Sequence, residues 1–326
     1  MNKVLFLSLA LFCCGLQMQA QTMTENEIMA KLNEASVLDN AKKTAEALDA
    51  FLLIGKNMEQ QRTEVEHQIY VYCQTKACKC YETLNRYEEA YLLAKKLIAG
   101  NLTEKEKKDV GHLYAMNGYM YATSFMHGDN RQLVKARTIL EEIMPYADGK
   151  VKEYALPKIS ESWFFEGAEY QLSQQYDKAL TCYQNALKGY QKLGKTKDEI
   201  SVLKHIAEIK GTLYDVAGSE DAYKQALVLA KQIGKTDVQM EILKELWKLG
   251  NRIGNVQQAQ TYAASIDSLV DVTADLQTKY TYYNQKGDEA KFLGQYGIAE
   301  QWYLRGKDLA ERPDISTVSA NRHLSY

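Results

Sequence analysis

GAEYQLSQQYDKALTCYQNAL, residues Gly167–Leu187, sets small side chains and tyrosines at helical intervals on either side of a polar break. Ala179, Tyr183, Ala186, Leu187 and Tyr190 fall at i, i+4, i+7, i+8 and i+11, which is one face of a helix. Cys182 lies just off that face. Gly167 and Tyr170 precede Ser173–Gln175 and so belong to an earlier helix. A glycine and an alanine on facing helices let the two backbones approach closely, and tyrosines fill the space beside them. The stretch therefore predicts a helical hairpin whose tyrosines serve packing rather than catalysis.

Similar stretches recur along the chain. NRYEEA, QQYDKA, GNVQQA and GQYGIA end at Ala90, Ala179, Ala259 and Ala299, and weaker versions end at Ala47, Ala136 and Ala222. Successive alanines are 43, 46, 43, 43, 37 and 40 residues apart. Such self-similarity is the mark of a repeat array. Trp163, Gly167 and Tyr170, followed by Ala179 and Tyr183, match the spacing W-x2-L-G-x2-Y…A-x3-F. Glu166 stands where leucine is usual, and no proline closes the unit. On these residues the chain resembles a tetratricopeptide repeat (TPR) protein over residues 21–313, with a tail at 314–326. The resemblance implies an all-α, right-handed superhelix of about seven hairpins and fourteen helices, without sheet. It also implies a groove lined by the first helix of each pair.

The period exceeds the 34-residue standard, and spacing alone also admits HEAT or armadillo repeats, against which the small–aromatic pairing argues. The excess sits between units. Leu193-Gly194-Lys195-Thr196 and Ile233-Gly234-Lys235-Thr236 occupy equivalent places, where glycine ends one helix and polar residues open the next.

Residues 1–20 read differently. Lys3 leads an apolar run from Val4 to about Leu16, and Ala20 closes it. That is the pattern of a secretory signal peptide cut to leave Gln21 first, and the run is short for a membrane span. A lipoprotein would use Cys13 or Cys14, but Phe12 and Cys13 stand where a small residue normally precedes. The reading is thus an exported chain, periplasmic, with no transmembrane segment after the leader. Over all 326 residues the net charge is −2 and the isoelectric point near 6.3, so no basic excess points to nucleic acid. Only three prolines interrupt it, which suits long helices.

The sequence offers no assembled chemistry. His67, His112, His127, His205 and His323 form no metal-spaced pair, and no phosphate loop or nucleophile elbow is present. The reading expects no enzyme, no cofactor and no metal. Cys73, Cys78 and Cys80 share one predicted helix, where Cys73 and Cys80 stand roughly 10 Å apart, beyond disulfide reach. Cys78 takes the small-residue position, and Cys182 lies two repeats on, so all four thiols are expected free.

Function is then expected in the groove. Aligning the first helices on their small residues gives Tyr72, Lys76 and Lys79 from the second repeat, and Met116, Tyr119 and Thr123 from the third. The fourth gives Phe164, Ala168 and Gln171, the sixth Lys244, Lys248 and Arg252, and the seventh Asn284 and Lys291. The family's lysine–asparagine carboxylate clamp is not reproduced, since Lys248 follows Lys244 and Asp288 follows Asn284. The leading expectation is a non-catalytic scaffold of the cell envelope that binds a protein or peptide partner. The alternative is the partner-sensing region of a signal-transduction protein, since the leader, long repeats and joints resemble the exported half of Bacteroidota sensor kinases and regulators.

Overall fold

A computed structural model describes residues 23–310 apart from 61–62, 129, 273–275 and 293. The expected signal peptide and the tail at 314–326 lie outside the described residues. Among the described residues there are fourteen helices and no strand: α1 Glu25–Asn40, α2 Thr44–Asn57, α3 Glu64–Thr83, α4 Tyr87–Ile98, α5 Glu104–Ser124, α6 Leu133–Ile143, α7 Gly149–Leu172, α8 Tyr176–Leu193, α9 Thr196–Thr212, α10 Val216–Gln232, α11 Thr236–Arg252, α12 Val256–Val272, α13 Leu276–Phe292 and α14 Tyr296–Ala310. They pair in order into seven helical hairpins, so the all-α repeat fold read from the sequence is present. The chain divides into two compact units between Ser162 and Trp163, within α7.

In the first unit the sequence itself starts the leading helices. Thr24, Thr63 and Thr103 each receive the backbone N–H three residues on, and Glu27, Glu66 and Glu106 reach back to the threonine N–H. These reciprocal capping boxes satisfy donors a helix start would otherwise leave unpaired. The core is built by Phe51, Ile54, Cys73 and Ala77 in one cluster and by Tyr114, Leu140 and Ile143 in another. Glu142 accepts from the Tyr114 hydroxyl at 2.6 Å and the Tyr91 hydroxyl at 2.9 Å, and pairs with Lys95 at 2.6 Å. Pro157 lies inside α7, which forfeits one helical donor there.

In the second unit, one cluster runs from Ala179 on α8 to Tyr282 on α13. A Cβ added to Gly167 would stand 2.9 Å from the Tyr183 ring and 3.3 Å from Cys182, so only glycine permits this approach. Cys182 is buried and widens the packing face beyond the expected stripe. Gly194 and Gly234 close α8 and the turn after α10 with φ of 62° and 65°, the left-handed closure expected there.

All seven expected alanines are buried, yet one does not hold the expected register. Six stand at the fourth position of a second helix, whereas Ala222 is the seventh residue of α10. The equivalent position is Ser219, buried, its hydroxyl donating 2.8 Å to the Ala207 carbonyl. Serine is small enough for the contact and satisfies its own hydroxyl, so it replaces alanine without an unpaired group. With Ser219 in place the last four units repeat every 40 residues.

Candidate functional site

The first helices of the second unit are aligned by contacts that recur at an offset of 37 residues. Gln171 Nε2 on α7 donates to Glu208 Oε2 on α9 at 3.4 Å, and Lys204 Nζ on α9 meets Glu241 Oε1 on α11 at 2.5 Å. Lys244 Nζ on α11 lies 5.8 Å from the Tyr282 ring centre on α13, and Lys286 Nζ lies 5.7 Å from the same ring. Lys286 also stands 5.9 Å from the Trp247 ring. These distances suit cation–π attraction. The face thus runs from an aromatic and carboxylate end at α7 and α9 to an ammonium and aromatic end at α11 and α13.

At the first end Phe164 packs tilted against Tyr183 and edge-on against His205, with ring centres 5.7 and 5.4 Å away, and His205 stacks on Tyr183 at 5.2 Å. The Tyr183 hydroxyl donates to Gln171 Oε1 at 2.7 Å. His205, its Nδ1 3.5 Å from Glu208 Oε2, holds the Glu208 carboxyl below the usual range against the opposing effect of burial. At the second end burial lowers the Lys244 ammonium, and neighbouring Lys248 lowers it further. Among the described residues no carboxylate lies within ion-pair distance of Lys244; Lys248 is exposed and pairs with Glu245 at 2.8 Å. Arg252 and Lys291 are exposed at the ends of α11 and α13.

Asn284 departs from the expectation. It is only 9% exposed, and its Oδ1 lies 3.1 Å from where a Cβ on Gly306 would stand. It faces its own hairpin partner α14, where glycine at 306 leaves room for it, and its Nδ2 is buried without a hydrogen-bond partner. Ala168 is half-buried.

In the first unit Tyr72 and Lys76 come together. Lys76 Nζ pairs with Asp39 Oδ2 on α1 at 2.6 Å and lies 6.0 Å from the rings of Phe51 and Tyr72. Lys79 is exposed. Tyr119 packs on Tyr154 at 6.3 Å, Met116 is half-buried against the same core, and the Thr123 hydroxyl is turned onto the Met120 carbonyl at 2.9 Å. Met116, Tyr119 and Thr123 therefore make an apolar patch.

Sequence reading named no lining from the fifth repeat and so passed over Lys204 and Glu208; Ser219, twelve residues after Ala207, is the signal that locates them. It also missed Trp247 and Lys286, half-buried on this face, since a tryptophan at helical spacing looks like core in one dimension, as Tyr282 indeed is.

No model of a known protein family matches the chain, and no curated protein matches it. Solved structures do. Aspartyl phosphate phosphatase F from Bacillus subtilis is 13% identical, with 90% of this chain and 76% of that one covered and a TM-score of 0.44. The C-terminal part of a TPR repeat-containing protein from Cytophaga hutchinsonii is also 13% identical, covering 74% of this chain and 96% of that one, with a TM-score of 0.31. A Rap protein complexed with competence and sporulation factor is 16% identical over 88% of this chain and 77% of that one, at a TM-score of 0.34. Among the described residues no helix is long and apolar enough to cross a membrane.

Proposed function

We propose that this chain is a non-catalytic scaffold that binds a protein or peptide on the first-helix face of its second unit, outside the inner membrane of the cell. One observation carries the binding reading: Lys244 is a half-buried ammonium beside the Tyr282 ring, and among the described residues no carboxylate lies within ion-pair distance of it. Burying part of a cation costs free energy unless an anion answers it, so the site is suited to an acidic group from outside, with the half-buried Trp247 beside it. The export reading rests on the Lys3-led apolar run ending at Ala20. The test is quantitative capture from an envelope extract with the parent protein and with a Lys244→Ala/Lys248→Ala variant of unchanged helicity. A partner retained by the parent and depleted about tenfold by the variant is the expected result. A partner held equally by both would overturn the assignment. A sensor region would use the same face, and a conformational response to the captured partner would favour that reading.

A further inference from the structure

The second unit carries an exposed apolar row on one edge. Leu172 ends α7, Leu213 and Tyr214 form the turn after α9, Ile253 caps α11, Phe292 ends α13 and Tyr296 opens α14. Leu172, Tyr214 and Phe292 are 85, 89 and 91% exposed, and the other three are exposed as well. Because Gln171–Glu208 and Lys204–Glu241 align successive first helices, these turns follow one another along the same edge. At its described turns the opposite edge has Gly194-Lys195 and Gly234-Lys235 instead. Tyr214 shares its left-handed backbone with Gln174 in the equivalent turn, φ 59°, but carries an aromatic ring there. It adopts φ of 62°, a left-handed conformation that costs a non-glycine residue free energy, and its ring is left in water. Local stability would be better served by glycine, as at Gly254 and Gly294 in the equivalent turns, with φ of 75° and 72°.

We infer that this edge is an interface between two copies of the chain, paired about a two-fold axis with their rows antiparallel. The area fits. At the usual size of such side chains the six expose on the order of 800 Å², about what a standard interface takes from each partner. The charge order fits as well. The rim is acidic at Glu169 and Asp177 beside the first turn, where the Lys178 ammonium lies over the Tyr170 ring at 5.2 Å, and basic at Arg252 and Lys291 toward the last. An antiparallel two-fold sets Leu172 of one copy against Phe292 of the other, Tyr214 against Ile253, and the acidic end against the basic end. A parallel pairing would bring like charges together. The near balance of charge on the rim also gives an anionic lipid surface little to hold.

Sedimentation equilibrium of the purified protein tests this. At about 50 μM the parent should sediment with twice the mass of one chain. Leu172→Ser with Phe292→Ser, at unchanged helicity, should raise the dissociation constant at least about tenfold. Lys291→Glu should weaken the dimer, and adding Asp177→Lys should bring it back to within about threefold of the parent. A parent monomeric at 50 μM, or a Leu172/Phe292 variant as dimeric as the parent, overturns the inference. So does a Lys291→Glu dimer that Asp177→Lys weakens further, which would mean the rows do not run antiparallel. A monomeric parent that binds phosphatidylglycerol-containing vesicles would reassign the edge to lipid.

Discussion

At the scale of single residues, packing and chemistry separate cleanly in the stretch 167–187. Tyr183 is fully buried, wedged on Gly167 and stacked on His205. Tyr183→Ala should cost about 3–5 kcal/mol by the usual loss for a buried aromatic. Gly167→Ala places a methyl 2.9 Å from that ring and should cost about 1–3 kcal/mol by overpacking. Lys248→Ala removes only an exposed pair with Glu245 and should change stability by less than about 0.5 kcal/mol. Tyr214→Gly should move the other way, stabilising by about 1 kcal/mol through relief of the left-handed backbone. Urea titrations below the concentration of self-association read all four; a stabilised Gly167→Ala or an unaffected Tyr183→Ala would break the packing account.

At the scale of helices, most of what places the elements is visible in the sequence. Six of the seven small-residue contacts are legible as alanines, the fifth being Ser219 where the sequence pointed to Ala222, and the turn glycines at 194 and 234 mark where helices end. The left-handed residues Lys42, Asn85, Gln174 and Tyr214 were not legible, because packing of the two helices imposes that conformation on side chains that do not ask for it. Nor was Asn284, whose burial depends on Gly306 one helix away. The α5–α6 hairpin offers a pH test. Burial raises the Glu142 carboxyl, but hydrogen bonds from Lys95, Tyr114 and Tyr91 outweigh it and hold it below its ordinary value of 4.5. A carboxyl depressed in the folded state contributes stability that is full above its unfolded value and is lost as pH falls through the lower folded one. Glu142→Gln should therefore lower Tm at pH 7, with the gap to the parent closing as pH drops from about 5 toward 2. A gap that stays constant over that range would show that Glu142 acts through packing alone.

At the scale of the whole molecule, the repeat accounts for the cysteines as well as the helices. Cys73, Cys78, Cys80 and Cys182 are all free and buried. Burial pushes Cys73 and Cys78 up to about 12, so little thiolate forms at pH 8, and the thiolate is the reactive species. In an oxidising compartment these thiols are thus protected by the hairpins around them, while an unfolded chain would expose them. The native protein should react slowly with a thiol reagent at pH 8 and rapidly after unfolding in guanidinium. The count after unfolding also reports on the leader, since two of the six cysteines of the full sequence are Cys13 and Cys14. Protein recovered from the exported fraction should give four thiols and begin at Gln21. Six thiols with Met1 retained would refute cleavage. No thiols in non-reduced monomer, or two with the bridge mapped within Cys73–Cys80, would require a disulfide between residues of α3 and would refute the hairpin assignment around Cys73–Cys80.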